Sequence, residues 1–342
     1  MLVGFANRQL SRELKPGTVR TREKTLRRFV GFSDAMPWEW TPTHFERWSA
    51  MQVRGGRTLS TVRGYQGTVA AFVDYITDLR NDWLEECERR FGQAPLGICG
   101  EQNMVRRNTD YEGLPDGNRP LSKEELAQFF SYANARVEEA RKLQRKGALA
   151  AYRDGVLYLV IYAWGLRRNE VAHLKVTDFR ANAAHLQFGE HGQLVVRHGK
   201  ARRGGPPRRR TVLTVWGWAV TALAEYLTEV RPCFFEHHPD GGWLFPSERG
   251  GHVSAGHVDH RFAEYRQAAG LDVRLVPHCL RHTYVTRLLE AGYPLSFVQE
   301  QVGHSHAATT AIYTAVSNDF KNRAIADAIT RSLAASGGAH GR

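Results

Sequence analysis

The segment PHCLRHTYVTRLLEAGYPLSFVQEQVGHSHAATTAIYT, Pro277 to Thr314, carries side chains suited to attack on a phosphodiester. His278 and Arg281 stand three residues apart, His304 follows Gly303, and Tyr313 comes nine residues after His304. A phenol is a weak nucleophile at neutral pH because its pKa lies near ~10. It becomes effective where donors stabilise the charge that builds on the phosphate under attack. A lone His or Tyr is more often structural than catalytic. Four such residues within 36 positions, three of them nitrogen donors, point instead to a nucleic-acid backbone as substrate.

Two further stretches belong with this set. WGLRRNEVAHL places Arg167 and Arg168 beside Glu170, directly after the apolar run VLYLVIYAWGL that begins at Val156. Gly165 is expected to break that helix and let Arg167 project into a cleft. A guanidinium offers a planar fork that matches two phosphate oxygens. Adjacent arginines point to different faces of a helix, so one of the pair is expected to serve; the plainer alternative is a surface ion pair with Glu170. VRHGKARRGGPPRRRTV holds Arg197, Lys200, Arg202, Arg203, Arg208, Arg209 and Arg210 and no acidic residue. Its glycines and prolines predict a turn between two strands, and such a basic turn can follow phosphates into a DNA groove. Lys200 can also donate a proton, which arginine effectively cannot.

The elements that must position these groups follow from composition and periodicity. With 342 residues, 42% hydrophobic and 11% aromatic, the chain has material for two ordinary domains with real cores. Lys and Arg number 47 against 35 Asp and Glu, giving a formal charge of +12 and a pI near 9.8. That balance suits a polyanionic partner, since phosphate contacts release condensed counterions. The longest apolar run is far short of the ~20 residues a membrane span needs. The opening MLVGFANRQLSRELKPG has no apolar signal core, and Cys87, Cys99, Cys233 and Cys279 show no CxxC pairing. The expectation is a cytoplasmic protein with reduced thiols. His252, His257 and His260 raise a metal reading, but without companion cysteines or HExxH no metal site is expected.

Val62, Tyr65, Val69, Phe72, Ile76 and Leu79 recur at helical steps and predict one face of a long helix. Leu26, Phe29 and Val30 predict an earlier helix capped by Thr18, and Thr41 or Thr43 with Pro42 and Glu46 starts another. Residues 18 to 90 therefore read as about four helices. Arg20, Arg22 and Lys24 on the first and Arg63 near a later turn are candidate phosphate contacts. Residues 91 to 120 are Gly- and Pro-rich and read as a linker. Ser122 to Glu125 forms a capping box that opens a new helix. AHLQFG, QLVVRHG and RRRTVLTV read as short strands, so the second region is mainly α with a small antiparallel β-sheet.

HCLRHT, VGHSHAATTAIYT and GLRRNE resemble the three motif blocks of the tyrosine recombinase (phage integrase) family. The resemblance is strong over about 122 to 320 and weaker over 18 to 90. It implies a helical core-binding domain over 1 to 90, an α+β catalytic domain of tyrosine-recombinase type over 121 to 330, and a tail over 331 to 342, with the two domains clamping double-stranded DNA. Motif by motif it carries catalytic roles onto Arg167, His278, Arg281, His304 and the nucleophile Tyr313, and onto Lys200, although this chain replaces the family's short GKGxKxR hairpin with a Gly-Pro-Arg-rich turn. It further implies a 3′-phosphotyrosine intermediate without metal, ATP or other cofactor, and four protomers on two duplexes. The helix-like tail carrying Ile325, Ala328, Ile329 and Leu333 would dock on its own or a neighbouring protomer. An integrase or transposase of a mobile element is the leading expectation, ahead of an Xer-like dimer resolvase. A type IB-like topoisomerase and a regulator with a vestigial site are the rivals from other classes.

Overall fold

The computed structural model describes residues 1–106, 119–142, 147–199, 207–235 and 238–303. These fall into two compact units, one ending at Arg106 and the other beginning at Arg119.

The first unit is built from helices α1 (Leu2–Ser11), α2 (Pro16–Ser33), α3 (Pro42–Arg54), α4 (Leu59–Ile76) and α5 (Trp83–Phe91). Prolines open α2 and α3, where a missing N–H costs nothing and the fixed φ suits the first turn. Two boundaries differ from the sequence reading. The cap of α2 is Lys15, and Thr18 lies inside the helix. The box at α3 runs from Thr41 to His44, whose ring Nδ1 accepts the Thr41 N–H at 3.2 Å, so Glu46 takes no part in it. The stripe on α4 is buried as expected through Val62, Val69, Phe72 and Ile76. Leu79 leaves it, 89% exposed, because the helix stops at Ile76 and the chain turns at Asp78, which binds Arg8 and Arg80. Helix α1 was not legible from the sequence; Phe5 anchors it edge-on to Phe72 at 5.3 Å. Leu26, Phe29, Trp40, Phe45 and Trp48 complete the core, and Ile98 joins it from the Gly- and Pro-rich stretch.

The second unit contains α6 (Lys123–Lys142), α7 (Ala148–Ala163), α8 (Arg168–Ala172), β1 (Phe179–Arg180), β2 (Gln193–Val196), β3 (Arg210–Leu213), α9 (Gly217–Glu225), α10 (Ala255–Ala268), α11 (Pro277–Glu290) and α12 (Leu295–Val302). The box at Ser122 forms reciprocally: Glu125 N–H donates to Ser122 Oγ at 3.1 Å and Ser122 N–H to Glu125 Oε2 at 2.9 Å. The strands make one antiparallel sheet in the order β1-β2-β3, with Leu194 opposite both Phe179 and Val212. AHLQFG is not a strand: residues 186–191 form a 3-10 turn, and the outer strand is Phe179–Arg180. Burial explains the difference, since Phe179 packs edge-on to Trp164 at 5.2 Å whereas Leu186 is 77% exposed. Among the described residues no helix is long and apolar enough to cross a membrane.

Helix α7 is the centre of this unit, packed against α6, α9 and α11. Leu157, Tyr158, Val160 and Ile161 are essentially inaccessible, which accounts for the apolar run being continuous rather than one-sided. Gly165 ends the helix with φ of +59°, a conformation in which a side chain is strained. A Cβ there would also lie 2.4 Å from Tyr284 Cδ1. Gly165→Ala is expected to destabilise the protein by about 2–4 kcal/mol, combining the left-handed backbone with overpacking. Urea unfolding measures this; an unchanged midpoint would show that the Tyr284 ring yields freely.

Candidate active site

The turn after Gly165 brings Arg167 to the N-cap of α8, with Glu170 three residues on. Glu170 is 2% exposed. Its Oε2 accepts the backbone N–H of Arg167 at 2.9 Å and its Oε1 accepts Arg167 Nη1 at 2.8 Å. From the first residue of β3, Arg210 grips the same carboxylate with two bonds of 2.8 Å. Arg281, one turn into α11, places Nη1 at 3.9 Å from Glu170 Oε2. One carboxylate thus gathers three arginines singled out in the sequence, Arg167 and Arg281 from the motif blocks and Arg210 from the basic stretch. Three guanidiniums against one carboxylate leave an excess of positive charge, which is what a phosphate needs.

Arg281 itself is 1% exposed and fixed by main-chain acceptors. Its Nη1 donates to the Gly165 carbonyl at 2.6 Å, and its Nη2 donates to the carbonyl of Val302, next to Gly303. The three motif blocks are therefore joined through one side chain. Gln301 adds a second strut: its Oε1 accepts Leu213 N–H at 3.0 Å and the Tyr284 hydroxyl at 3.4 Å, while its carbonyl accepts Arg210 Nε at 3.0 Å.

Electrostatics follow from this packing. Burial drives the Glu170 carboxyl upward, but Arg210, Arg281 and Arg167 outweigh it and hold the group down at about 2. Burial, then the Arg167 and Arg210 charges, lower Arg281 from its usual value, with Glu170 opposing. His278 opens α11 and meets His282 edge-to-face at 4.5 Å. Burial, then Arg281 and Arg167, push its imidazole down to about 4, so it is neutral near pH 7.

Not every expected contact is available. Arg210, expected on the phosphate-facing turn, is directed inward, because Glu170 and the Gln301 carbonyl take its donors. Arg197 pairs with Asp178 at 2.6 Å and stays 38% exposed, while Arg208 and Arg209 face solvent. Arg168 pairs with Asp259, which leaves Arg167 as the arginine at the site. In the first unit Arg20 and Lys24 are exposed, Arg22 donates to Gln9 at 2.9 Å, and Arg63 reaches the Arg106 carbonyl at 3.5 Å. Lys200, Arg202, Arg203, His304, Tyr313 and the tail helix expected around 325–333 lie outside the described residues. The sequence reading had Glu170 only as a surface partner of an arginine, whereas it is buried and shared by several, and it missed Gln301. A signal existed for Glu170 alone: an acid three residues after an arginine, at a helix start, in a chain rich in arginine.

Residues 120–319 match the phage integrase family. The tyrosine recombinase XerD of Pseudomonas putida is 31% identical over 203 residues, 59% of this chain and 60% of that protein, so the chain aligns with less than two thirds of its length. Two solved structures share the fold. The XerH site-specific recombinase bound to palindromic difH substrate matches at 21% identity, 92% and 80% coverage of the two chains, and a TM-score of 0.66. The Tn1549 transposon integrase with transposon right end DNA matches at 17% identity, 96% and 99% coverage, and a TM-score of 0.65.

Glu170→Gln keeps the shape and removes the charge, leaving buried arginines without their anion. The expected cost at pH 7 is about 3–5 kcal/mol. Because the folded-state pKa of Glu170 is depressed, its stabilisation is full above ~4.3 and fades as pH falls toward about 2. Wild type and variant should converge in stability on acidification; a gap that persists at pH 2 would show that the charge is not what matters.

Proposed function

Because the chain belongs to the phage integrase family, we propose that it is a site-specific DNA recombinase that cuts and rejoins duplex DNA through a 3′-phosphotyrosine link. The observation that carries this reading is the cluster of Arg167 and Arg281 on buried Glu170, next to a neutral His278. In this reading Tyr313 Oη attacks the phosphorus, the new P–O bond forms, and the bond to the 5′-oxygen breaks. His278 takes the phenolic proton or positions the phenol as it is lost, and Lys200 supplies a proton to the leaving 5′-oxygen. Arg167, Arg281 and His304 hold the nonbridging oxygens, whose charge rises in the transition state. Arginine carries five N–H donors, so Arg281 retains some for phosphate after serving Gly165 and Val302. The 5′-hydroxyl of a partner strand reverses the step, and the bond energy stays in the phosphotyrosine, so neither metal nor ATP enters.

The first unit, to Arg106, acts as the core-binding domain, so the connection read over 91–120 begins later than expected, with 121–330 as the catalytic domain, 331–342 as the tail, and four protomers on two duplexes in the cytoplasm. Integration or transposition of a mobile element is the role we favour, on the long connection and the altered turn; the fold shared with a transposon integrase on its own DNA supports it. Xer-like resolution of dimers is the second reading, favoured by the XerD relative.

A nicked duplex carrying the candidate site should trap a covalent adduct on a denaturing gel with wild type and none with Tyr313→Phe. Equal adduct in the variant would remove Tyr313 as nucleophile. Arg202→Ala with Arg203→Ala should weaken binding similarly across sequences and reduce the salt slope by about 2. An unchanged slope would place the turn away from phosphate.

A further inference from the structure

Three imidazoles from separate segments meet on the second unit. His173 closes α8, His198 follows β2, and His252 lies in the isolated bridge with Pro246. The His173 ring centroid is 5.0 Å from that of His198 and 4.7 Å from that of His252. Trp243 backs His252 at 4.4 Å, with the Lys175 ammonium 5.0 Å from the centre of its ring. Two of the rings are oriented by the main chain: His173 Nδ1 donates to the Asn169 carbonyl and His252 Nδ1 to the Val253 carbonyl, each at 2.8 Å. A carbonyl only accepts, so both Nδ1 atoms carry a proton and both Nε2 atoms bear the lone pair when neutral.

The charges facing the stack are unbalanced. Arg197, just after β2, acts on His198, and the Lys175 ammonium lies over the Trp243 ring that backs His252. Of the nearby acids, Asp178 is buried on Arg197 at 2.6 Å, and Glu248 is 58% exposed with Arg153 at 3.9 Å. Burial and then His173 hold His198 below the ordinary histidine value, with Asp178 opposing. The stack thus has positive side chains beside it, and the carboxylates near it are already paired. His198 also stands inside the acid-free stretch that leads to Lys200, and His173 comes six residues after Arg167.

We propose that the His173–His198–His252 stack is a proton-linked phosphate contact, where a DNA backbone phosphate and a proton bind together. The inference rests on DNA being the substrate. The phosphate supplies the missing counter-charge and favours the imidazolium, while repulsion between touching rings limits the uptake to about one proton. The sign follows. Phosphate raises the imidazole pKa, so between the free and bound values binding takes up a proton, and affinity rises as pH falls. Other histidines must be kept apart from this effect. His278 at the candidate active site stays in every variant, and on α10 His257 is engaged with Asp154 at 3.2 Å and His260 with Glu264 at 3.3 Å.

The test uses the full chain and a short duplex of arbitrary sequence, because a backbone contact does not read bases. Dissociation constants are compared at about pH 6 and about pH 8 at one ionic strength, with calorimetry in two buffers of different ionisation heat to count protons. Wild type should bind about fivefold or more tightly at the lower pH with net proton uptake. His173→Gln, the central ring, should bring that ratio toward one; the exposed His198→Gln should lower it as well and serves if the first variant unfolds. Ratios and proton counts equal to wild type in both variants would overturn the stack while leaving the recombinase reading standing. A wild type that binds no duplex at any pH would overturn both.

Discussion

Glu170 sits where a carboxylate is costly to bury, and the rest of the candidate site depends on its staying ionised there. Taking a charge out of water costs several kcal/mol unless partners with good geometry compensate. Here the compensation comes from α8 through Arg167, from β3 through Arg210 and from α11 through Arg281. Its hydrogen bonds come from Arg167 and Arg210, and Arg281 adds its charge at 3.9 Å, so the ionic centre needs α8, β3 and α11 side by side. In return the arginines gain an anchor that holds them close to one another, which their mutual repulsion would otherwise oppose.

A second buried charge cluster lies toward the other end of α7. Asp154 is 1% exposed and accepts from Arg153 at 2.8 Å, from Arg261 at 2.8 Å and from His257 at 3.2 Å. Arg153 also donates to the Pro246 carbonyl at 3.0 Å. Helix α7 is therefore apolar through its middle and pinned near both ends by ion pairs, one within its first turns and one just beyond Gly165. The apolar middle supplies most of the burial, and the ion pairs fix the helix in register along its axis.

The fold and the site were legible in the sequence to different depths. The capping box at Ser122, the burial of α7 and its break at Gly165 come from local rules, and local rules read well. Helix α1 and the strand at Phe179 did not, because each exists through a distant contact: Phe5 on Phe72 and Phe179 on Trp164. AHLQFG misled because its apolar residues look paired, yet Leu186 has nothing to cover it. At the candidate site, spacing singled out Arg167, His278 and Arg281, and the structure brings the two arginines to one carboxylate. Spacing gave no warning that Arg210 belongs to the interior, because an arginine in a basic stretch reads as surface until its acid is located in space.

Arg210 directly follows the exposed Arg208 and Arg209 and is clamped to Glu170 at the other end of its own side chain. The start of β3 is thereby tied, through one side chain, to the arginine cluster. Displacing Arg210 breaks two charge-assisted hydrogen bonds to Glu170, at a cost of about 3–5 kcal/mol. The exposed Arg208 and Arg209 and the buried cluster therefore meet through one short stretch of backbone.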